Sequence, residues 1–86
     1  MEKFYNVMLV RPELDYLYLI VDGEHYRIPW RMCSPRLTAA QSHERSVIDV
    51  APSGYGLHWP LVDEDLALRP LLALAERMIV ENSRSM

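Results

Sequence analysis

Apolar and polar residues alternate in two stretches of this chain and recur at helical spacing in a third. Tyr5 to Arg11 is rich in apolar residues and stops at Pro12, which predicts a first strand. Pro12-Glu13-Leu14-Asp15 reads as a connection. Tyr16 to Val21 is a nearly continuous aromatic and aliphatic run, the mark of a well-buried strand. Asp22-Gly23 divides it from a third strand that Pro29 and Trp30 close, and Asp-Gly between two such runs is a strong hairpin signal. A two-residue loop pairs Val21 with Glu24, Leu19 with Tyr26 and Leu17 with Ile28. That register gathers Leu17, Leu19, Tyr26 and Ile28 on one apolar face, and Tyr18, Ile20, His25 and Arg27 on the other.

Ser34-Pro35 predicts a helix start, with Ser34 as N-cap and Pro35 at the first helical position, continuing through Arg36 to Ala40. Ser42 is read as capping a second short turn through Arg45. Val47 to Val50 reads as a fourth strand with Ile48 and Val50 inward. Pro52-Ser53-Gly54 begins a reversal in which Gly54 and Gly56 supply unusual backbone angles. Leu57, His58 and Trp59 then alternate, so Leu57 and Trp59 share a face, His58 takes the other, and Pro60 ends the strand. Asp63, Glu64 and Asp65 are expected to cap or charge-match a helical turn. Arg69-Pro70 places proline at the first position of a last helix, whose stripe is Leu71, Leu72, Leu74, Ala75, Met78 and Ile79. Asn82 is its stop and Ser83 to Met86 should fray.

The expected architecture is α+β. About five antiparallel strands in two hairpins form one sheet, with short helical turns between them and the C-terminal helix packed on the sheet, as a single domain over residues 1–82. The helix stripe reads as packing against that sheet. Homo-oligomerisation through the Pro70 helix is its alternative use.

Composition narrows the function classes. Half of the 86 residues are hydrophobic and only three are Gly, which excludes a disordered chain. The net charge of −3 gives no general attraction to nucleic acid. No apolar run reaches membrane-spanning length, and Met-Glu-Lys-Phe-Tyr-Asn is not a signal peptide, so a cytoplasmic protein is expected. Cys33 is the single cysteine, which excludes an internal disulfide and a thiolate metal cluster. Charge is uneven: Arg27, Arg31, Arg36 and Arg45 lie in a stretch opposed only by Glu44, whereas Asp49, Asp63, Glu64 and Asp65 follow with no intervening base. Arg27, Arg31 and Arg36 against Asp63 and Glu64 are therefore the candidate partner-binding residues, by complementary docking.

The best catalytic constellation is His58 with Asp63, Glu64 and Asp65, since a metal site needs imidazole and carboxylates converging on one point. The plainer reading is that Asp63 or Asp65 caps a turn while the other acids stay solvated. His25 and His43 have no partner at motif spacing. Cys33 lacks a nucleophile signature and reads as a small buried residue. Ser53-Gly54-Tyr55-Gly56 has neither the glycine spacing nor the lysine of a phosphate loop. Lining a surface with Tyr16 or Tyr18 is the alternative use of Trp30 and Trp59, but aromatics on alternating strands read first as core.

Four runs taken together carry a family resemblance: Tyr26-Arg27-Ile28-Pro29-Trp30, Cys33-Ser34-Pro35-Arg36-Leu37, Ser53-Gly54-Tyr55-Gly56-Leu57-His58-Trp59-Pro60 and Asp63-Glu64-Asp65-Leu66. Over roughly residues 5 to 72 the chain resembles the bacterial domain-of-unknown-function family numbered 2442, with Gly54, Gly56, Trp59, Pro60 and Asp65 as its structural signature. The resemblance implies a small α+β fold, sometimes fused to a helix-turn-helix and sometimes encoded beside a second small protein in a toxin–antitoxin-like pair. Nothing long enough for a helix-turn-helix follows the Pro70 helix, so no attached DNA-binding domain is expected. The resemblance supplies no catalytic residues, cofactor or metal. The expected function is a non-enzymatic protein-binding module, the partner or antitoxin-like half of a small two-protein system. The alternatives are a metal-dependent hydrolase using His58, Asp63 and Asp65, and a mobile-element inhibitor protein.

Overall fold

The first hairpin follows the predicted register residue for residue. In the computed structural model, which describes residues 5–52 and 54–75, β2 (Tyr16–Val21) pairs antiparallel with β3 (Glu24–Pro29), setting Leu17 opposite Ile28, Leu19 opposite Tyr26 and Val21 opposite Glu24. Asp22 and Gly23 both have positive φ, 53° and 83°, as a two-residue turn of this kind demands. β1 (Val7–Pro12) lies on the other side of β2, with an irregularity between Val7 and Leu9. Pro12 is the last residue of this edge strand rather than a stop beyond it, a place where a missing N–H is tolerated.

Trp30 does not close the third strand. It opens a helical turn, α1 (Trp30–Cys33), directly after Pro29. Ser34 then caps α2 (Pro35–Ala39) as expected: its hydroxyl oxygen accepts from the Leu37 N–H at 3.0 Å, and Pro35 is the first helical residue. The cap of α3 (Ser42–Arg45) is Gln41, not Ser42. Gln41 and Glu44 form a reciprocal capping box in which the Glu44 carboxylate accepts from the Gln41 N–H at 2.8 Å.

The second half departs further from expectation. The fourth strand shrinks to β4 (Asp49–Val50), and Val50, although it pairs with buried Leu57 and so shares its face, is exposed. β5 (Gly56–Trp59) pairs with β4 on one side and with β6 (Glu64–Ala67) on the other. The described residues thus hold two three-stranded antiparallel sheets, β1-β2-β3 and β4-β5-β6, in place of one sheet of about five strands. Asp63, Glu64 and Asp65 cap no helix. Asp63 ends a turn at φ 52°, and Glu64 and Asp65 begin β6.

A helix covers residues 68–75 of the described part. It starts at Leu68, two residues before the expected position, so Pro70 sits inside the first turn, where its missing N–H removes no intrahelical bond. The Leu68 N–H donates to the Tyr55 carbonyl at 2.8 Å, tying the helix start to the β4–β5 turn. Met78, Ile79, Asn82 and the expected frayed tail lie outside the described residues.

One core joins these parts. Leu17, Leu19 and Ile28 from the first sheet, Leu37 from α2, Leu57 and Trp59 from the second, and Leu68, Leu71, Leu72 and Ala75 from the last helix are buried together. Trp30 and Trp59 meet edge to face at 6.4 Å between ring centroids, which places both tryptophans in the core and not on a binding surface.

Candidate functional site

The outer face of the second sheet follows from its register. Leu57 and Trp59 are buried, so His58 and Gly56 point away from the core. Cross-strand pairing then places Asp49, His58 and Asp65 in one row and Gly56 opposite Ala67 in the next, where the Ala51 N–H donates to the Gly56 carbonyl at 3.0 Å. The second row carries nothing larger than a methyl group. Gly56 is obligatory there, because a Cβ would come within 2.9 Å of the Leu66 carbonyl oxygen. The result is an open groove of ≈ 470 Å³ over a floor of small residues, walled by Val50, Pro52 and Tyr55 and bounded by the Asp49-His58-Asp65 row.

The acidic triplet is divided three ways. Asp65 reaches back across the hairpin to His58, Oδ1 to Nδ1 at 2.7 Å. Glu64 stands opposite Trp59, half-buried, and Asp63 stays in the turn. Hence the structure brings together His58 and Asp65 of the sequence constellation and leaves Asp63 out. Among the described residues no group of three or more His, Cys, Asp or Glu is placed to hold a metal ion. The local charge is one-sided: from Ser46 to Leu68 the chain has four acids and neither lysine nor arginine.

Of the basic candidates, Arg36 is placed beside the acidic turn. Arg36 leaves the helix to donate to the carbonyls of Asp63 and Val62, at 2.9 and 3.4 Å, so it supports the very turn that carries Asp63. Arg27 lies over the Tyr16 ring at 5.3 Å, and Arg11 over Tyr18 at 5.8 Å. Tyr18 also hydrogen-bonds His25 through its hydroxyl. Arg31 is exposed on α1. Sequence reasoning missed the role of Arg45. Its guanidinium donates to the carbonyls of Leu37 at 2.8 Å, Thr38 at 3.0 Å and Leu14 at 3.4 Å, and it stacks on Trp30 at 5.1 Å. A planar fork of donors that also stacks is specific to arginine, but its acceptors are backbone atoms that leave no mark in the sequence.

Cys33, the last residue of α1, is half-buried, and burial pushes its thiol from the ordinary 9.0 up to about 12, with Arg45 opposing part of that rise. Such a thiol stays protonated at neutral pH, the opposite of an activated nucleophile.

The five signature residues can now be assigned. Gly54 has φ 76° and faces the Tyr5 backbone so closely that a Cβ would overlap the Tyr5 carbonyl oxygen. Gly56 admits β6, Trp59 fills the core at zero exposure, Pro60 opens the turn and Asp65 holds His58. Comparison with curated proteins finds no match. Among solved structures the fold is similar to the crystal structure of a protein of unknown function from Rhodospirillum rubrum, with a TM-score of 0.72 and 24% identity over 83% of this chain and 88% of that one. A family model, "Protein of unknown function (DUF2442)", matches residues 7–77, and the chain belongs to that family.

Proposed function

We propose that this protein is a protein-binding module, the partner or antitoxin-like half of a small bacterial two-protein system, and that it docks its partner on the open face of the second sheet. The observation that carries this reading is the groove: a mainly apolar floor of Ala51, Gly56 and Ala67, open to solvent beside exposed Val50 and Tyr55. Apolar surface with a polar rim is the ordinary make-up of an interface centre. The gene-pair element of the reading rests on the family resemblance.

The test is co-purification with the product of the neighbouring gene. Ala67 is exposed on the groove floor, so Ala67→Tyr should fill the groove while leaving the melting temperature nearly unchanged. Loss of the complex with the fold intact is the expected result. A complex that forms equally well with Ala67→Tyr overturns this choice of surface.

One contact favours a second reading. A histidine oriented by a carboxylate at one ring nitrogen leaves the other free for proton transfer, as His58 and Asp65 are arranged. On that reading the family would be hydrolytic. Hydrolysis by the purified chain that His58→Ala abolishes would establish it over docking.

A further inference from the structure

Resting on the docking reading above, we infer that the groove takes a basic protein segment, with an apolar side chain on the Ala51-Gly56-Ala67 floor and a lysine or arginine against the Asp49-His58-Asp65 row. Three observations converge on this occupant. The floor and the charged row are adjacent outward-facing rows of the same sheet, so they lie about 7 Å apart along the strands. That is the separation of an apolar side chain from a neighbouring cation on one bound segment. The row is anionic: Asp49 and Asp65 are both exposed, and Asp65 spends one oxygen on His58 while Asp49 makes no side-chain hydrogen bond among the described residues. Finally, no lysine or arginine lies between Arg45 and Arg69 to neutralise this lobe from within. Among the described residues Arg36 reaches this lobe through the backbone carbonyls of Val62 and Asp63 and not through a carboxylate.

An acidic partner would meet the like charges of Asp49 and Asp65 here, and an uncharged apolar one would leave the row without a partner. A cation on the bound segment completes the row, and His58 in its pair with Asp65 fixes where one of the two carboxylates stands. The inference concerns recognition alone and requires no chemistry at His58.

The experiment maps amide resonances by NMR while adding a short synthetic peptide in which leucine stands beside arginine, and then its twin with glutamate in place of arginine. The arginine peptide should shift Gly56, His58 and Ala67, and the glutamate peptide should not. Asp49→Asn and Asp65→Asn should each weaken the arginine peptide about two- to fivefold, the range of an exposed charge pair, and added salt should do likewise. Asp49→Asn is the cleaner variant because it breaks no hydrogen bond within the described fold. Equal shifts from the two peptides, shifts confined to another face, or no shift from the arginine peptide overturn the inference. The outcome is separable from the docking reading. A neighbouring-gene complex blocked by Ala67→Tyr but indifferent to Asp49→Asn, Asp65→Asn and salt keeps the surface and removes the basic occupant.

Discussion

The two sheets share one core yet are stabilised in different ways. The first has six-residue strands, two of them joined by a two-residue turn, and its outer face is filled by side chains that hold one another: Arg27 on Tyr16, Arg11 on Tyr18, Tyr18 on His25. The second has strands of two and four residues, and its outer face is nearly bare apart from the Asp49-His58-Asp65 row. Short strands contribute few ladder bonds, so the second sheet depends on anchors from elsewhere. Arg36 holds its far turn, the Tyr5 backbone lies against its near turn, and Trp59 roots it in the core. The teaching is a division of labour. A self-sufficient sheet forms the base, and a sheet held from behind is left free to present its front.

The largest effect that would sharpen this contrast is Trp59→Ala. Removing a fully buried aromatic costs about 3–5 kcal/mol, a large part of a small domain's stability. Denaturant unfolding should show collapse of the whole core and not of the second sheet alone. Trp59→Phe should be milder, because the indole N–H meets no acceptor among the described residues. A Trp59→Ala variant with unchanged melting would mean that the second sheet is not rooted through this residue.

Next come the two glycine turns, one per sheet. Gly23 and Gly54 both have positive φ, but nothing lies within 4 Å of a Cβ at Gly23. Gly23→Ala should therefore cost only the backbone term, about 1–2 kcal/mol. Gly54→Ala adds a collision with backbone that cannot rotate away and should cost roughly 1–3 kcal/mol more. Equal losses measured by thermal melting would break the claim that the second sheet leans on the Tyr5 segment.

Arg45→Lys keeps the charge and removes the stacked fork over Trp30. A loss of ~2 kcal/mol is expected, the scale of hydrogen bonds made by a charged donor. Stability unchanged in denaturant would show that these carbonyls are as well served by water.

The last effect is absent at neutral pH and visible only in alkali. The fold holds Cys33 as the neutral thiol, so its contribution to stability is complete below the ordinary pKa of 9.0 and is lost as pH rises toward about 12. Denaturant midpoints of the native chain and Cys33→Ala should run parallel up to that window. Within it the native chain should fall away more steeply.

Legibility in the sequence divides along the same line. The β2–β3 register could be read because turn chemistry and alternation agree over consecutive residues. Ser34-Pro35 could be read because a cap is a local device. Asp63-Glu64-Asp65 was misread because acids ahead of an apolar run look like a helix entry, and the left-handed backbone of Asp63 leaves no trace in composition. With the β5–β6 register unknown, Asp65 could not be preferred to Asp63 as the partner of His58. Val50 does share the face of buried Leu57, yet its place on an edge strand leaves it exposed. The groove was invisible because its floor is made of residues that signal nothing singly, and becomes a feature only when Ala51, Gly56 and Ala67 align.

The long-range anchors of the second sheet also bear on the order in which the chain folds. The β2–β3 hairpin closes between sequence neighbours and can form early, since little loop entropy opposes it. Arg36 meets the Asp63 carbonyl across 27 positions, and that contact must wait for distant segments to arrive. Substitutions in the hairpin should therefore slow refolding, whereas Arg36→Ala should leave that rate nearly untouched and quicken unfolding instead. A face completed last on the way in is also the first to loosen on the way out, and a bound partner would slow that escape.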